Sequence, residues 1–135
     1  MKVRHILTTA AAASALTLVM ATQAVAADHT MKTDDSAPGG EIKFTKTGDI
    51  VAVCDIEKDG WAVIGRVYTY INSSTRGARI YSLQDGGADG SCKVGRANMG
   101  GKYNLAEGKT YWFEVCLHNS TEDKYCDWAA WKNDK

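Results

Sequence analysis

The sequence predicts an all-β domain, specifically a small antiparallel β-sandwich of about six to seven short strands stapled by two disulfides. Three observations support this fold class. Runs of β-branched and aromatic residues alternate with turn signals, no helical period follows residue 26, and the four cysteines all lie beyond that point. An even number of cysteines in a short exported chain is typical of a disulfide framework.

The N-terminus has the pattern of a cleaved export signal. A short basic start, Met1 to His5, precedes an uncharged apolar run, and Ala24-Val25-Ala26 fits the small-x-small cleavage rule. The run is too short and too rich in alanine and threonine for a membrane anchor. We therefore expect a signal peptide at 1–26, a flexible leader at 27–41 and the β-sandwich domain at 42–135. The leader is polar and contains the chain's only proline.

The turns and strands of the domain are predicted from local composition. Asp59-Gly60 predicts a tight turn, "NSSTRG" and "EGK" predict further turns, and "QDGGADGS" predicts a flexible loop. The predicted strands are "DIVAVCDI", "WAVIGRVYTYI", "ARIYSL", "CKVGRA", "KYNL", "TYWFEVCL" and "KYCDWAAW".

Cysteine spacing favours the pairs Cys54–Cys92 and Cys116–Cys126, although four cysteines allow three connectivities. A Cys116–Cys126 hairpin would place the two Cα atoms about 4.5 Å apart, within disulfide range. Loop entropy would contribute about 2.8 kcal/mol for this bridge and about 3.9 kcal/mol for Cys54–Cys92.

Metal sites are weakly indicated, and no metal or cofactor is expected. Zinc could use Cys116, His118, Cys126 and Asp127, but the nine-residue gap between the cysteines is unlike a zinc knuckle. "DIEKDG", starting at Asp55, resembles the start of a calcium loop. Its twelfth position is an arginine, and a strand end followed by a turn explains the segment equally well. The aspartates of "QDGGADGS" could also bind calcium, or could belong to an ordinary solvated loop.

Catalysis is poorly supported by the sequence. The processed chain has two histidines, His29 in the leader and His118 in the cysteine loop, and no nucleophile-elbow pattern. We therefore expect a non-enzyme. A small extracellular hydrolase with a carboxylate pair is the weakest alternative.

Tryptophans are the main candidates for a binding site. Strand alternation places Tyr111, Phe113, Val115 and Leu117 on one face, which we expect to enter the core. The other face carries Trp112, Glu114, Cys116 and His118, and a Cys116–Cys126 hairpin would set Trp128 opposite Glu114. Either these indoles are exposed and bind a ligand, or they cover the disulfide and pack inside.

Charge and composition limit the partners. Loss of Lys2 and Arg4 leaves a net charge of about −2 and no basic stripe, which argues against nucleic acid or a membrane. We expect a monomer that is secreted, or periplasmic, and that binds an extracellular protein or a polysaccharide. A protein-interaction module or enzyme inhibitor would use an ordered loop, with Arg76 as an anchor. A carbohydrate-binding module using Trp112 and Trp128 is the alternative.

Overall fold

The computed structural model describes residues 26–134. The predicted signal peptide falls, apart from Ala26, outside these residues. Residues 26–134 contain eight strands: β1 (His29–Lys32), β2 (Gly40–Thr45), β3 (Ile50–Asp55), β4 (Ala62–Asn72), β5 (Thr75–Asp85), β6 (Lys93–Gly95), β7 (Thr110–His118) and β8 (Asp123–Lys132). Between β6 and β7 the chain forms two 3₁₀ turns, at Ala97–Met99 and Gly101–Tyr103.

The strands form two antiparallel sheets of four, which confirms the predicted all-β sandwich. The first sheet has the order β1-β2-β3-β6 and the second has the order β5-β4-β7-β8. The expected strand at "KYNL" is wrong. Gly100 and Gly101 both adopt positive φ there, and the chain turns instead of extending.

The core lies between the sheets and is built by alternating residues. Tyr111, Phe113, Val115 and Leu117 of β7 are all buried in it, as their spacing predicts. Phe113 packs against Phe44 of the first sheet, with ring centroids 4.8 Å apart. Since both faces of β7 are nearly closed to solvent, this strand has little freedom to move.

Part of the expected flexible leader over 27–41 is ordered, because residues 29–32 form strand β1 and pair with β2. Met31 is buried opposite Ile42, and the ring of His29 stacks on Trp131 of the last strand at 5.0 Å. The backbone of the segment continues to bond beyond the strand, where Asp34 N donates to Tyr125 O. Contacts distant in sequence therefore order a segment that has little apolar content of its own.

Both favoured disulfides are present, Cys54–Cys92 and Cys116–Cys126, with Cα–Cα distances of 4.3 and 4.1 Å. The second bridge spans β7 and β8 at a bulge, where Tyr125 and Cys126 together oppose Cys116 and Tyr125 adopts a positive φ. Two disulfides indicate an oxidising compartment outside the cytoplasm. Among the described residues, no helix has the length and apolar character needed to cross a membrane.

Candidate binding face

The outer face of the second sheet brings together all four binding candidates of the sequence. Side chains that alternate with the core residues of β4, β7 and β8 point away from the first sheet. The strand register sets Tyr68 opposite Trp112 and Glu114 opposite Trp128. Arg76 of edge strand β5 reaches the same place through an ion pair with Glu114. We call Tyr68, Tyr70, Arg76, Trp112 and Trp128 the arginine–aromatic patch.

Glu114 lies beneath the patch and is only 6% exposed, although it sits on the outer side of the sheet. Its Oε2 accepts hydrogen bonds from Tyr68 Oη at 2.8 Å and from Arg66 Nη1 at 3.1 Å. Its Oε1 accepts one from Arg76 Nη1 at 2.5 Å. Burial raises the pKa of Glu114, but the bonds from Arg76, Tyr68 and Arg66 outweigh burial and leave the pKa below its ordinary value. The carboxylate is therefore charged, and both of its oxygens accept hydrogen bonds.

Arg76 lies near the start of β5 and is held from three sides, whereas the sequence suggested a loop arginine free to act as an anchor. Its guanidinium carbon is 4.9 Å from the ring centroid of Tyr68 and 5.4 Å from that of Trp128. Together with the Glu114 bond, these contacts fix the guanidinium while part of it stays open to solvent. Arg76 is thus a positioned cation.

The two tryptophans have opposite environments. Trp128 is 52% exposed, as a binding residue requires. Trp112 is only 8% exposed, so its ring is not open to a ligand. Its Nε1 donates to Asn72 O at 3.2 Å, and Tyr70 stacks over its ring at 6.2 Å. Trp112 therefore anchors the end of β4 against β7.

The β4–β5 hairpin extends past β7, because pairing between β4 and β7 ends at Thr69 and Tyr111. Its tip is a two-residue turn in which Ser74 N donates to Asn72 Oδ1 at 2.9 Å. Ile71 and Tyr70 are exposed apolar residues on this extension. Because Trp112 anchors its base, the hairpin presents them in a fixed position.

A second group of charges borders the patch. Asp123 accepts from Arg66 Nη2 at 2.7 Å, and its other oxygen is 2.6 Å from His118 Nδ1. Burial raises the pKa of Asp123, while the bonds from His118 and Arg66 lower it further than burial raises it. A continuous network of ion pairs thus runs from Arg76 through Glu114 and Arg66 to Asp123, and a hydrogen bond extends it to His118.

One cluster with metal-ligand atoms lies in this face. Within residues 26–134, the single set of three such groups with atoms inside 4.8 Å of one another is Glu114, Cys116 and Cys126. Both sulfurs are joined in a disulfide, so they offer no thiolate to a metal. The four zinc ligands suggested by the sequence are therefore not available as a set.

Sequence reasoning missed three residues of this face: Arg66, Tyr68 and Tyr70. A signal was present, because these residues alternate along β4 with Gly65, Val67 and Thr69 and so share one face.

Comparison with models of protein families, with curated proteins and with solved structures finds no match to this chain. Fold and site define the class of protein as a disulfide-stapled β-sandwich with a preformed aromatic face.

Proposed function

We propose that this protein is a secreted, non-catalytic binding protein that engages an extracellular protein through the arginine–aromatic patch and the β4–β5 hairpin. The observation that carries the proposal is the half-exposed indole of Trp128, held against Arg76 on the same face of the sheet as the exposed ring of Tyr70. Inhibition of an extracellular enzyme is the form of binding that best suits a small, rigid, secreted domain.

The composition of the patch is that of a protein-interaction hot spot. Tryptophan, tyrosine and arginine dominate such sites, since they bury large surfaces with few rotatable bonds. Here the guanidinium of Arg76 is already fixed by Glu114 and Tyr68, so little side-chain entropy remains to be lost on binding. A preorganised patch favours a specific partner.

The same network argues against catalysis on this face. Both oxygens of Glu114 accept hydrogen bonds from arginine or tyrosine, and Asp123 is engaged in the same way. A general acid or base needs a proton to exchange with a substrate at an accessible atom. These carboxylates instead hold Arg66 and Arg76 in place.

Carbohydrate binding is the second candidate, and Trp128 is the residue that favours it. An exposed indole beside polar groups can stack on a sugar ring. The face offers one such indole, since Trp112 is covered by Tyr70. Glu114, the carboxylate beneath the patch, is only 6% exposed and both of its oxygens already accept hydrogen bonds, so little of it is open to a sugar hydroxyl. Protein binding is therefore the better-supported function.

The test is to immobilise the processed protein and its Trp128→Ala, Arg76→Ala and Met99→Ala variants, and to pass over them the proteins secreted by the same cells. Met99 is an exposed apolar residue in a 3₁₀ turn, outside the arginine–aromatic patch, and serves as the matched control. A partner that uses the patch is retained by the wild type and by Met99→Ala. After purification, its affinity falls about 30-fold or more in Trp128→Ala.

Parallel binding to cellulose, chitin and xylan separates the two candidates. Retention on a polymer that is lost in Trp128→Ala would establish carbohydrate binding in place of protein binding. A protein partner whose affinity is equal for wild type and Trp128→Ala would place the interaction elsewhere. Trp128→Ala and Met99→Ala should retain the wild-type melting temperature to within a few degrees, since both side chains are exposed. Arg76→Ala should melt lower, because it removes one of the cations that pair with the buried Glu114.

A further inference from the structure

A further arginine of β5, Arg79, lies at the border of the arginine–aromatic patch. Residues three apart in a regular strand point to opposite faces, because successive side chains alternate. β5 departs from this pattern, since Tyr70 pairs with Arg76 and Tyr68 pairs with Arg79, so that three steps along β5 match two steps along β4. The additional residue forms a β-bulge. Directly paired residues share a face, and the bulge therefore places both arginines on the outer side of the sheet.

Gly77 makes this register possible. A Cβ atom at Gly77 would lie 2.1 Å from Thr69 Oγ1, far inside van der Waals contact. Any side chain at this position would collide with Thr69, so the bulge requires a glycine. Thr69 Oγ1 donates a hydrogen bond to Ala78 O at 3.4 Å across the same bulge. The placement of the two arginines on one face is thus built into the local sequence.

Arg79 has no partner within residues 26–134. Arg66 pairs with both Glu114 and Asp123, and Arg76 pairs with Glu114. Arg79 is exposed, and it forms no ion pair, hydrogen bond or ring contact with the described part of the chain. Three arginines therefore share two carboxylates. One positive charge is left uncompensated at the edge of the face.

We infer that the partner presents an acidic segment to this face, with one carboxylate bound by Arg79 and an apolar or aromatic side chain packed on Trp128. The inference rests on the proposed function, because it names the chemistry of the protein that the arginine–aromatic patch binds. A carboxylate at Arg79 would supply the counter-charge that the sheet itself does not. Arg76 links the two contacts, since it lies on β5 with Arg79 and its guanidinium carbon is 5.4 Å from the ring centroid of Trp128.

Two other occupants match this edge less well. β5 is an edge strand of its sheet, and pairing of two copies along it would bring the arginines of both copies together, which like charges disfavour. A sulfated polysaccharide needs several free cations, because a polyanion is held by many charge contacts. Arg66 and Arg76 are already paired with carboxylates. One free arginine beside exposed aromatic surface suits an acidic protein segment.

The experiment selects random linear peptides displayed on phage against the immobilised processed protein, and then measures the affinity of synthetic copies of the enriched peptides. These peptides should be rich in aspartate and glutamate and should contain an aromatic or large apolar residue. Arg79→Glu should weaken their binding by about tenfold or more. Arg96→Glu is the matched control, because it makes the same charge change at an exposed arginine that follows β6 of the first sheet. It should weaken binding by less than about twofold.

A charge exchange tests the contact directly. The acidic residues of an enriched peptide are replaced by lysine one at a time. At one position lysine should weaken binding to the wild type and restore binding to Arg79→Glu, because the two charges meet there. Arg79→Gln replaces Arg79→Glu should the latter fail to fold. The affinity of the wild type should fall as NaCl rises, and the affinity of Arg79→Gln should fall less.

The outcomes separate this inference from the proposed function. Peptides that lose affinity in Trp128→Ala but are not acidic, or that bind Arg79→Glu and Arg96→Glu equally well, would overturn the acidic partner and leave the patch as the binding site. Peptides that bind the wild type and Trp128→Ala equally well, or the absence of any enriched peptide, would count against both. Retention of the wild type on heparin without enrichment of acidic peptides would replace the acidic protein by a sulfated polysaccharide.

Discussion

Glu114 is the residue on which the geometry of the arginine–aromatic patch depends. Its two oxygens accept hydrogen bonds from Arg66, Tyr68 and Arg76, so its loss would leave Arg76 without an ion-pair partner and Arg66 with Asp123 alone. The sequence suggested Glu114 as a residue that contacts a ligand. In the structure it instead holds Arg66, Tyr68 and Arg76 in place. Removal of one member of such a network is strongly destabilising, because the partner charges keep their desolvation cost.

Glu114→Gln should lower the free energy of unfolding at neutral pH by about 3 kcal/mol. The wild type should lose stability as pH falls below 4.5, the ordinary pKa of a glutamate, since its folded pKa is lower and the charged form stabilises the fold above that pH. Urea unfolding of both proteins between about pH 7 and pH 3 measures this difference.

Glu114→Gln should not show the loss of stability that comes from protonating Glu114. The free energies of unfolding of the wild type and the variant should therefore converge as pH falls. Glu122→Gln is the matched control, because that glutamate forms only an exposed pair with Lys124 and should change stability by less than about 0.5 kcal/mol. Parallel curves for wild type and Glu114→Gln would contradict the role assigned to the carboxylate.

The sequence was sufficient to predict which face of a strand a residue lies on. It was not sufficient to predict how far that residue is buried. Alternation along β7 and β8 correctly paired Glu114 with Trp128. It could not show that Tyr70 would cover Trp112, because that contact needs the hairpin to extend past β7. Nor could it bring Arg76 to Glu114, since the two residues meet only through the order of strands in the sheet.

At the scale of elements, β1 shows that a segment whose composition predicts disorder can form a strand. The segment is polar and carries few apolar residues, which is typical of a disordered leader. Its order comes from backbone pairing with β2 and from the stack of His29 on Trp131 of β8. Strand formation through distant partners leaves little trace in local sequence.

Met31→Ala should destabilise the protein by about 2 kcal/mol, because it empties a buried position under β1. Lys32→Ala, the next residue of the same strand, is exposed and should change stability by less than about 0.5 kcal/mol. Thermal unfolding of both variants makes the comparison. Equal and small effects would mean that residues 29–32 behave as the flexible leader that the sequence suggests.

At the scale of the whole molecule, the sequence was sufficient to predict the fold class and the two disulfide pairs. Turn residues, strand alternation and an even number of cysteines led to a sandwich with the two observed disulfides. The order of strands was out of reach, because it is decided by which apolar faces meet in three dimensions. The arginine–aromatic patch depends on that order, because β4, β5, β7 and β8 are neighbours in the second sheet.

The two disulfides should contribute unequally. Cys54–Cys92 closes a loop with a separation of 38 residues, and Cys116–Cys126 one of 10. Replacing the first pair by alanine should therefore cost about 1 kcal/mol more than replacing the second. Guanidinium unfolding of the two double variants provides the measurement. A larger loss from the Cys116–Cys126 pair would show that the bridge acts mainly by holding the β8 bulge.

Lys46 bonds to both ends of the described chain. Its backbone nitrogen donates to Asp28 Oδ2 and its ammonium group to Asp134 Oδ1, each at 2.7 Å. Residues 28 and 134 are therefore neighbours, so a short peptide linker could join them and new termini could be opened at an exposed turn such as 73–74. Circular permutation is therefore compatible with every contact that builds the core.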